Sequence, residues 1–339
     1  MQTIEAADAV ELARVVRSDF IESRHLGAAV ALSPSGEVLA SLGDINAPVF
    51  ARSTLKPLQT IASMNAGAEL QGAQIALASG SHTGSFEHMK IAQSILEEAS
   101  LDAAALQCPP AWPVDEASYH ALVQAGREKT RLAFNCSGKH SAFLWACQKN
   151  NWPIKNYRDC AHPLQQLVAE TVEKHTGEKP AAVGIDGCGA PVFAVSLCGL
   201  ARAYSALGGA IENIRADARL ATVATAMVDY PEFVQGHGKP NTVLSEVLNG
   251  IVKGGAEGVL AIGLRSGASV AVKVLDGSSR ATSLIALKLL EACELISVEI
   301  AQRGIEATTK PIMGAEEAVG SLEVGSALAQ LIEASQEKK

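Results

Sequence analysis

Residues 51–67, ARSTLKPLQTIASMNAG, are where the chain changes character. Leu55, Leu58, Ile61 and Met64 recur at helical spacing, Pro57 is tolerated only in a first turn, and Asn65 to Gly67 supply a stop. The spacing predicts a helix with Ser53 at its entrance. Upstream, GAAVALS (27–33) and EVLASLG (37–43) flank Pro34-Ser35-Gly36 and predict a β-hairpin whose register the turn fixes. Downstream, helical patterns follow at FEHMKIAQSILEEA (86–99), at HPLQQLVAETVEKH (162–175) and along an alanine-rich stretch from about Gly209 to Asp229. Beyond Lys253 the strand-like runs GVLAIGL and ASVAVKVL, separated by Arg265-Ser266-Gly267, precede a helical ATSLIALKLLEACELI. Strands first, helices between and strands last is the order of an α+β fold, a sheet flanked by helices that joins both chain ends.

The chain has 339 residues, 48% of them hydrophobic, with no repeat and no linker-like tract, so a single domain over 1–339 is the simplest organisation. Only 19% of residues are charged and the net charge is −8, which leaves no basic face for nucleic acid. The start, MQTIEAADAV, has neither the basic nor the apolar part of a secretory signal, and no run approaches the roughly 18 apolar residues of a membrane span. A cytoplasmic protein with no membrane partner is expected. Seven cysteines, an odd number spread from Cys108 to Cys293, do not form a disulfide framework and are available as ligands or small core residues.

The first chemical motif is Ser53-Thr54-Leu55-Lys56. Residues three apart share a helix face, so Lys56 can reach the Ser53 hydroxyl and, if burial keeps it neutral, accept its proton. Alone the pattern is unspecific. An N-cap serine beside a surface lysine gives the same letters, and the tail carries another copy, Ser335-Gln336-Glu337-Lys338, which reads as coincidence. Its company is more telling. Ser81-His82-Thr83 in the loop ASGSHTGS and Lys253-Gly254-Gly255 follow in the order in which penicillin-recognising serine enzymes carry a second serine motif and a late Lys-x-Gly strand. Ordinary turn chemistry and a solvated lysine are the competing readings of those two motifs.

A second constellation is Asn135-Cys136-Ser137-Gly138-Lys139-His140 with Gly184-Ile185-Asp186-Gly187-Cys188-Gly189. Two thiolates suit zinc, but there is no Cys-x-x-Cys pairing, and lysine must be neutral to ligate; two small buried cysteines fit equally. Neither His82 nor His140, the histidines that touch these motifs, is assigned as a general base. No phosphate loop and no acidic calcium motif is present.

ARSTLKPLQ, SGSHTG, FNCSGKHSAFL, GIDGCGAP and VKGGAEGVLAIG, with VELARVVRSDFIESRH ahead of them, stand in the order and context of the Rhizobium-type, thermolabile L-asparaginases, which this chain resembles over nearly its whole length. The resemblance implies a fold similar to serine β-lactamases and glutaminases, a homodimer, and hydrolysis of L-asparagine to L-aspartate and ammonia. By matching position it implies Ser53 with Lys56 as one pair and Ser81 with Lys253 as the other, zinc on Cys136, Lys139 and Cys188, and Arg52, His140 and Asp186 lining the substrate or supporting the metal. The sequence departs from relatives at Thr-Gly-Ser after His82, where an acidic residue is common near Ser85, and at Gly80 before Ser81. The expected chemistry is a serine acyl-enzyme hydrolysed by water, with the second pair carrying a proton to the departing ammonia and zinc orienting the substrate. A glutaminase would use the same residues, since one methylene is worth only about 1–3 kcal/mol of discrimination. A non-catalytic zinc-binding protein would keep the cysteines and have no need of either serine-lysine pair, and cell-wall chemistry would call for an export signal.

Overall fold

A computed structural model describes residues 2–337, so Lys338 of the tail Ser-x-x-Lys copy lies outside the described residues. The chain begins β1 (Val10–Arg17), β2 (Phe20–Leu32), β3 (Val38–Leu42), β4 (Pro48–Phe50) and α1 (Lys56–Asn65), then α2 (Ala73–Ala78), α3 (Phe86–Glu98) and α4 (Glu116–Gln124). It continues α5 (Ser137–Lys149), α6 (Pro163–Thr176), β5 (Ala182–Ile185), β6 (Pro191–Ser196), α7 (Leu197–Ala210), α8 (Ala218–Asp229) and α9 (Pro231–Val234). It closes with α10 (Pro240–Leu248), β7 (Ile251–Gly255), β8 (Val259–Gly263), β9 (Ser269–Val274), α11 (Thr282–Ala292), α12 (Val298–Thr308), β10 (Ile312–Gly314), β11 (Glu317–Val324) and α13 (Ser326–Gln336). The elements form two compact bodies. One is a sheet body built from the chain up to Thr54, Ala194–Glu212 and everything from Val243 on; the other is a helical body, Leu55–Phe193 with Asn213–Thr242.

The sheet body is organised around β2. Its first half pairs with β1 (Val10↔Gly27 through Arg17↔Phe20), and its second half takes β3 on one edge (Ala29↔Leu42) and β9 on the other (Ala29↔Val272). The predicted hairpin is present, with Leu32 facing Val38 across the Pro34-Ser35-Gly36 turn. The antiparallel order β10-β11-β1-β2-β9-β8-β7 places both chain ends in one sheet, as expected, with Ala13 opposite Val324. β9 is buried along its whole length because helices cover both of its faces. Val270, Val272 and Val274 join Ile285, Leu287 and Leu290 of α11 in one core cluster, and on the other face the Ser269 hydroxyl donates to Ala201 O of α7 at 2.7 Å.

In the helical body α5 is the central element, buried from Ser137 to Cys147, and α1 packs against α5, α6 and α8. α1 starts where the sequence places it, with Pro57 in its first turn, but Ser53 sits one 3-10 turn earlier, in Arg52–Leu55. The single helix expected over 209–229 is corrected. α7 ends at Ala210 and α8 starts at Ala218, because the Asp217 side chain accepts from Arg219 N and Leu220 N and so caps a new helix.

Leu287 is fully buried and packs on α12, where a Cβ added at Gly304 would stand 2.8 Å from its Cδ1. Leu287→Ala is expected to lower stability by about 2–5 kcal/mol in urea denaturation; a loss below about 1 kcal/mol would show that α11 is not a core element.

Candidate active site

Lys56 is the first residue of α1 and is 1% exposed. Its Nζ has three partners: Gly80 O at 2.5 Å, Ser81 Oγ at 2.9 Å and Asn135 O at 3.3 Å. All three are acceptors, so the amine is tied to the Ser81 hydroxyl and to two backbone carbonyls. Ser81 is held there by its backbone, since Ser81 N donates to Val234 O (2.7 Å) and Thr83 N to Gln235 O (2.9 Å). Gly80, one of the two departures from relatives, is required by that approach: a Cβ on it would lie 2.7 Å from Phe233 O and 2.8 Å from Val234 O. The lysine that the sequence pairs with Ser53 thus also reaches Ser81.

His82 fastens the same loop from behind. Gly84 N donates to its Nδ1 (3.1 Å), so Nε2 carries the proton and donates to Ser137 Oγ at 2.9 Å, and that hydroxyl donates to Leu132 O at 2.8 Å. The ring stacks on His88 with centroids 5.0 Å apart, and His88 Nε2 donates to Glu232 O. Burial first, then the neighbouring His88 and Lys56, pushes His82 well below the usual imidazole range, and burial likewise lowers His88. Both are neutral spacers, as the assignment of no general base implies.

Three expected residues lie in the sheet body. Arg52 has φ +53°, a left-handed backbone uncommon outside glycine, and its Nη1 is 3.9 Å from Glu257 Oε1. Ser53 is partly exposed, and its hydroxyl makes no hydrogen bond among the described residues. Edge strand β7 runs against this turn, close enough that a Cβ on Gly255 would be 3.1 Å from Ala51 O and 3.4 Å from Ser53 N. Lys253 on the same strand is fully buried, and its Nζ donates to Gly254 O at 2.6 Å.

The thiol constellation converges within the helical body. Cys136 stands at the N-cap position of α5, Lys139 and His140 follow in its first turn, and Cys188 lies in the turn Asp186–Gly189 between β5 and β6, closed by Gly189 N to Asp186 O at 2.7 Å. Lys139 Nζ donates to Cys188 Sγ at 3.3 Å. The hydrogen bond from the Cys136 thiol, then the Lys139 and His140 charges, hold Cys188 far below the usual thiol range in spite of burial, while the same contact and burial push Cys136 up. Burial alone would depress Lys139, but Cys188, Cys136 and Asp186 outweigh it and keep it above the usual lysine value. Tyr157 OH accepts from Gln107 N and is 2.7 Å from His140 Nδ1, which leaves the imidazole proton on Nε2. That Nε2 has no partner at hydrogen-bond geometry, and burial, only partly offset by the nearby Cys188 sulfur, pushes His140 below the usual imidazole range.

Sequence reasoning missed two members. Cys108, pushed up to about 11 chiefly by burial and further by Cys188, and Tyr157 lie in unremarkable loops, and only the fold brings them to this cluster. Among the described residues no three His, Cys, Asp or Glu side chains are gathered as a metal site; the group bonded to the Cys188 sulfur is the Lys139 amine.

A profile of the family described as L-asparaginase II matches residues 13–324, and the chain belongs to that family. Its reaction, hydrolysis of the side-chain amide of L-asparagine, makes this chain an amidohydrolase acting on a small molecule. Comparison with curated proteins finds no match. Among solved structures, one described as a β-lactamase from Bacteroides dorei DSM 17855 aligns over 78% of this chain and 93% of its own at 14% identity, with a TM-score of 0.41 too low to decide anything further. Among the described residues no helix is long and apolar enough to cross a membrane.

An imidazole harder to protonate in the folded than in the unfolded chain leaves the unfolded chain holding more protons below about pH 6.5, so stability falls as pH drops below that value and is flat above it. His82→Gln, which keeps an amide N–H for Ser137, is expected to flatten that slope by up to about 1.4 kcal/mol per pH unit and to retain most activity, while His82→Ala loses at least about tenfold in kcat. Equal slopes in urea melts from pH 8 to 5.5, or equal activity of the two variants, would contradict this role.

Proposed function

We propose that the protein hydrolyses L-asparagine to L-aspartate and ammonia by a serine-lysine mechanism beside a zinc site. The observation that carries this reading is Lys56, buried three residues after Ser53 and hydrogen-bonded at 2.9 Å to the hydroxyl of Ser81.

Ser53 is the attacking group, because its hydroxyl is partly exposed and uncommitted whereas Ser81 is engaged by Lys56. Its oxygen bonds to the side-chain amide carbon as Lys56, three residues on, receives its proton. Backbone N–H groups at the start of the Arg52–Leu55 turn face the developing oxyanion, a contribution of about 3 kcal/mol per donor in other hydrolases. The C–N bond then breaks, and the proton passes from Lys56 through the Ser81 hydroxyl to the leaving nitrogen. Water enters by the reverse proton path and releases aspartate. Lys253, a buried cation, is the partner that favours the anionic form of Ser81 during relay, and Arg52 is suited to the substrate carboxylate.

Cys136, Lys139 and Cys188 would hold the zinc, a sulfur-rich set with three protein donors and room for a fourth. The donor chemistry fits: the two thiols interact electrostatically, the amine is on the Cys188 sulfur, and the otherwise unpartnered His140 Nε2–H can support the more anionic thiolate. When bound, such an ion orients and polarises the substrate amide. Asp186, at the start of the Cys188 turn, fixes that turn through Gly187 N to its Oδ1 at 2.8 Å, and by resemblance it is assigned with His140 to lining the substrate or supporting the metal. The homodimer is carried into the proposal by resemblance.

Purified protein is expected to release ammonia from L-asparagine in preference to L-glutamine. Ser53→Ala, Lys56→Met and Ser81→Ala should each lose about 10²–10⁴ in kcat, and Cys188→Ser should lose bound zinc by elemental analysis while Lys56→Met keeps it. Undiminished turnover in Lys56→Met would overturn the base assignment, and equal zinc in Cys188→Ser would overturn the metal site.

A further inference from the structure

Beyond Thr83 the helical body holds a cavity of about 290 Å³ that neither Ser81 nor Lys56 lines. Its walls are the start of α3 (Ser85 to His88), the start of α4 (Asp115 and Ser118) and the turn Gly236–Lys239. The polar groups on it are oddly committed. Thr83 is 7% exposed, yet its hydroxyl makes no hydrogen bond among the described residues. Lys239 also makes no side-chain hydrogen bond or ion pair among them, although its charge reaches Asp115. The Asp115 carboxylate caps α4 through Ser118 N at 2.9 Å, and the bonds from the Ser118 side chain and backbone hold it below the usual carboxylate range, so it is an anion at neutral pH. His237 and Glu87 at the rim are 3.6 Å apart, and both are largely exposed. His88 is fully engaged, with Ser85 on one nitrogen and Glu232 O on the other.

The cavity is therefore small and polar, and away from the exposed rim its recognition groups are the Lys239 cation, the Asp115 anion and the Thr83 hydroxyl. A simple anion would meet Asp115 and a simple cation would meet Lys239. A molecule carrying both charges a few ångströms apart satisfies both residues, and a carboxylate on Lys239 can take the Thr83 hydroxyl hydrogen as well. We propose that this cavity is an accessory binding site for a small zwitterionic α-amino acid, its carboxylate on Lys239 and Thr83 and its ammonium on Asp115. The site is separate from the reacting serines but shares their loop. Thr83 is two residues from Ser81, Thr83 O accepts from both Val114 N (2.7 Å) and Asp115 N (3.0 Å), and His88 on the cavity wall stacks on His82. A bound amino acid would thus stiffen the segment that presents Ser81 to Lys56. The inference stands whether or not the amidase reading does, because it concerns binding alone.

Glycine is the probe, having both charges and no side chain to hydrolyse. Calorimetric titration of the full-length protein with glycine, acetate and methylammonium, each at matched ionic strength, tests the assignment. Glycine is expected to bind at least tenfold more tightly than either half-molecule. Lys239→Met, which keeps the aliphatic stem, and Asp115→Asn, which keeps the helix cap, should each weaken glycine at least tenfold, while Ser81→Ala leaves it unchanged. Glycine binding that is unaffected by both cavity variants, or no tighter than acetate, would overturn the proposal, as would its loss in Ser81→Ala, which would place glycine at the reacting serines instead.

Discussion

The demand on which this molecule rests is a lysine amine that must be buried and yet satisfied. Removing a cation from water is costly unless the interior answers with hydrogen bonds, and at Lys56 the answer consists of two backbone carbonyls and one hydroxyl. Each partner imposes a condition elsewhere. Gly80 must be glycine because the backbone at the end of α9 passes within contact distance, Asn135 O must be delivered by the residue before Cys136, and Ser81 must be pinned to Val234. Asn135 O also accepts from His82 N at 3.2 Å, so the serine loop and the entrance to α5 are set by the same atom. That entrance carries the thiol cluster, so the Ser81 loop, Lys56 and the thiols are all held around the start of one central helix.

The two clusters solve opposite electrostatic problems. Around Lys56 the partners are neutral dipoles, two carbonyls and a hydroxyl. Around Lys139 they are sulfur and carboxylate charges, which favour the ammonium. The same residue type is thereby suited to two tasks: accepting a proton in one place, and in the other pairing with a thiolate or yielding its proton to a metal. Tyr157 and His140 extend the second cluster into the core, with the Gln107 amide fixing the tyrosine hydroxyl and hence the histidine tautomer.

Much of this was legible in the sequence, for physical reasons. The hairpin at 27–43 has a turn and two alternating strands, and α1 has a helical stripe with proline confined to its first turn, so local chemistry decides both. The pairing of the chain ends follows from strands lying at both ends of an otherwise helical sequence. Other parts could not be read locally. β11 is mostly half-exposed and lacks an apolar stripe, and α5 is buried on all sides, so neither shows the two-faced pattern on which periodicity depends. The break after Ala210 depends on a single side chain, Asp217, capping α8. At the site, residue types and order revealed the serines, lysines and cysteines. The contact of Lys56 with Ser81 did not, because it joins residues 25 apart through a loop whose path is set by 232–235. The approach of Cys108 and Tyr157 to Cys188 is tertiary in the same way.

The division of labour between the two serines is the center of the chemical account. Its most direct test is acid quenching of the enzyme during steady-state turnover of L-asparagine, followed by proteolysis and mass spectrometry of the peptides bearing Ser53 and Ser81. An aspartyl ester on the Ser53 peptide, absent from the Ser81 peptide, is the predicted result. An ester on Ser81 alone would contradict the account and make Lys56 the base of the serine it touches.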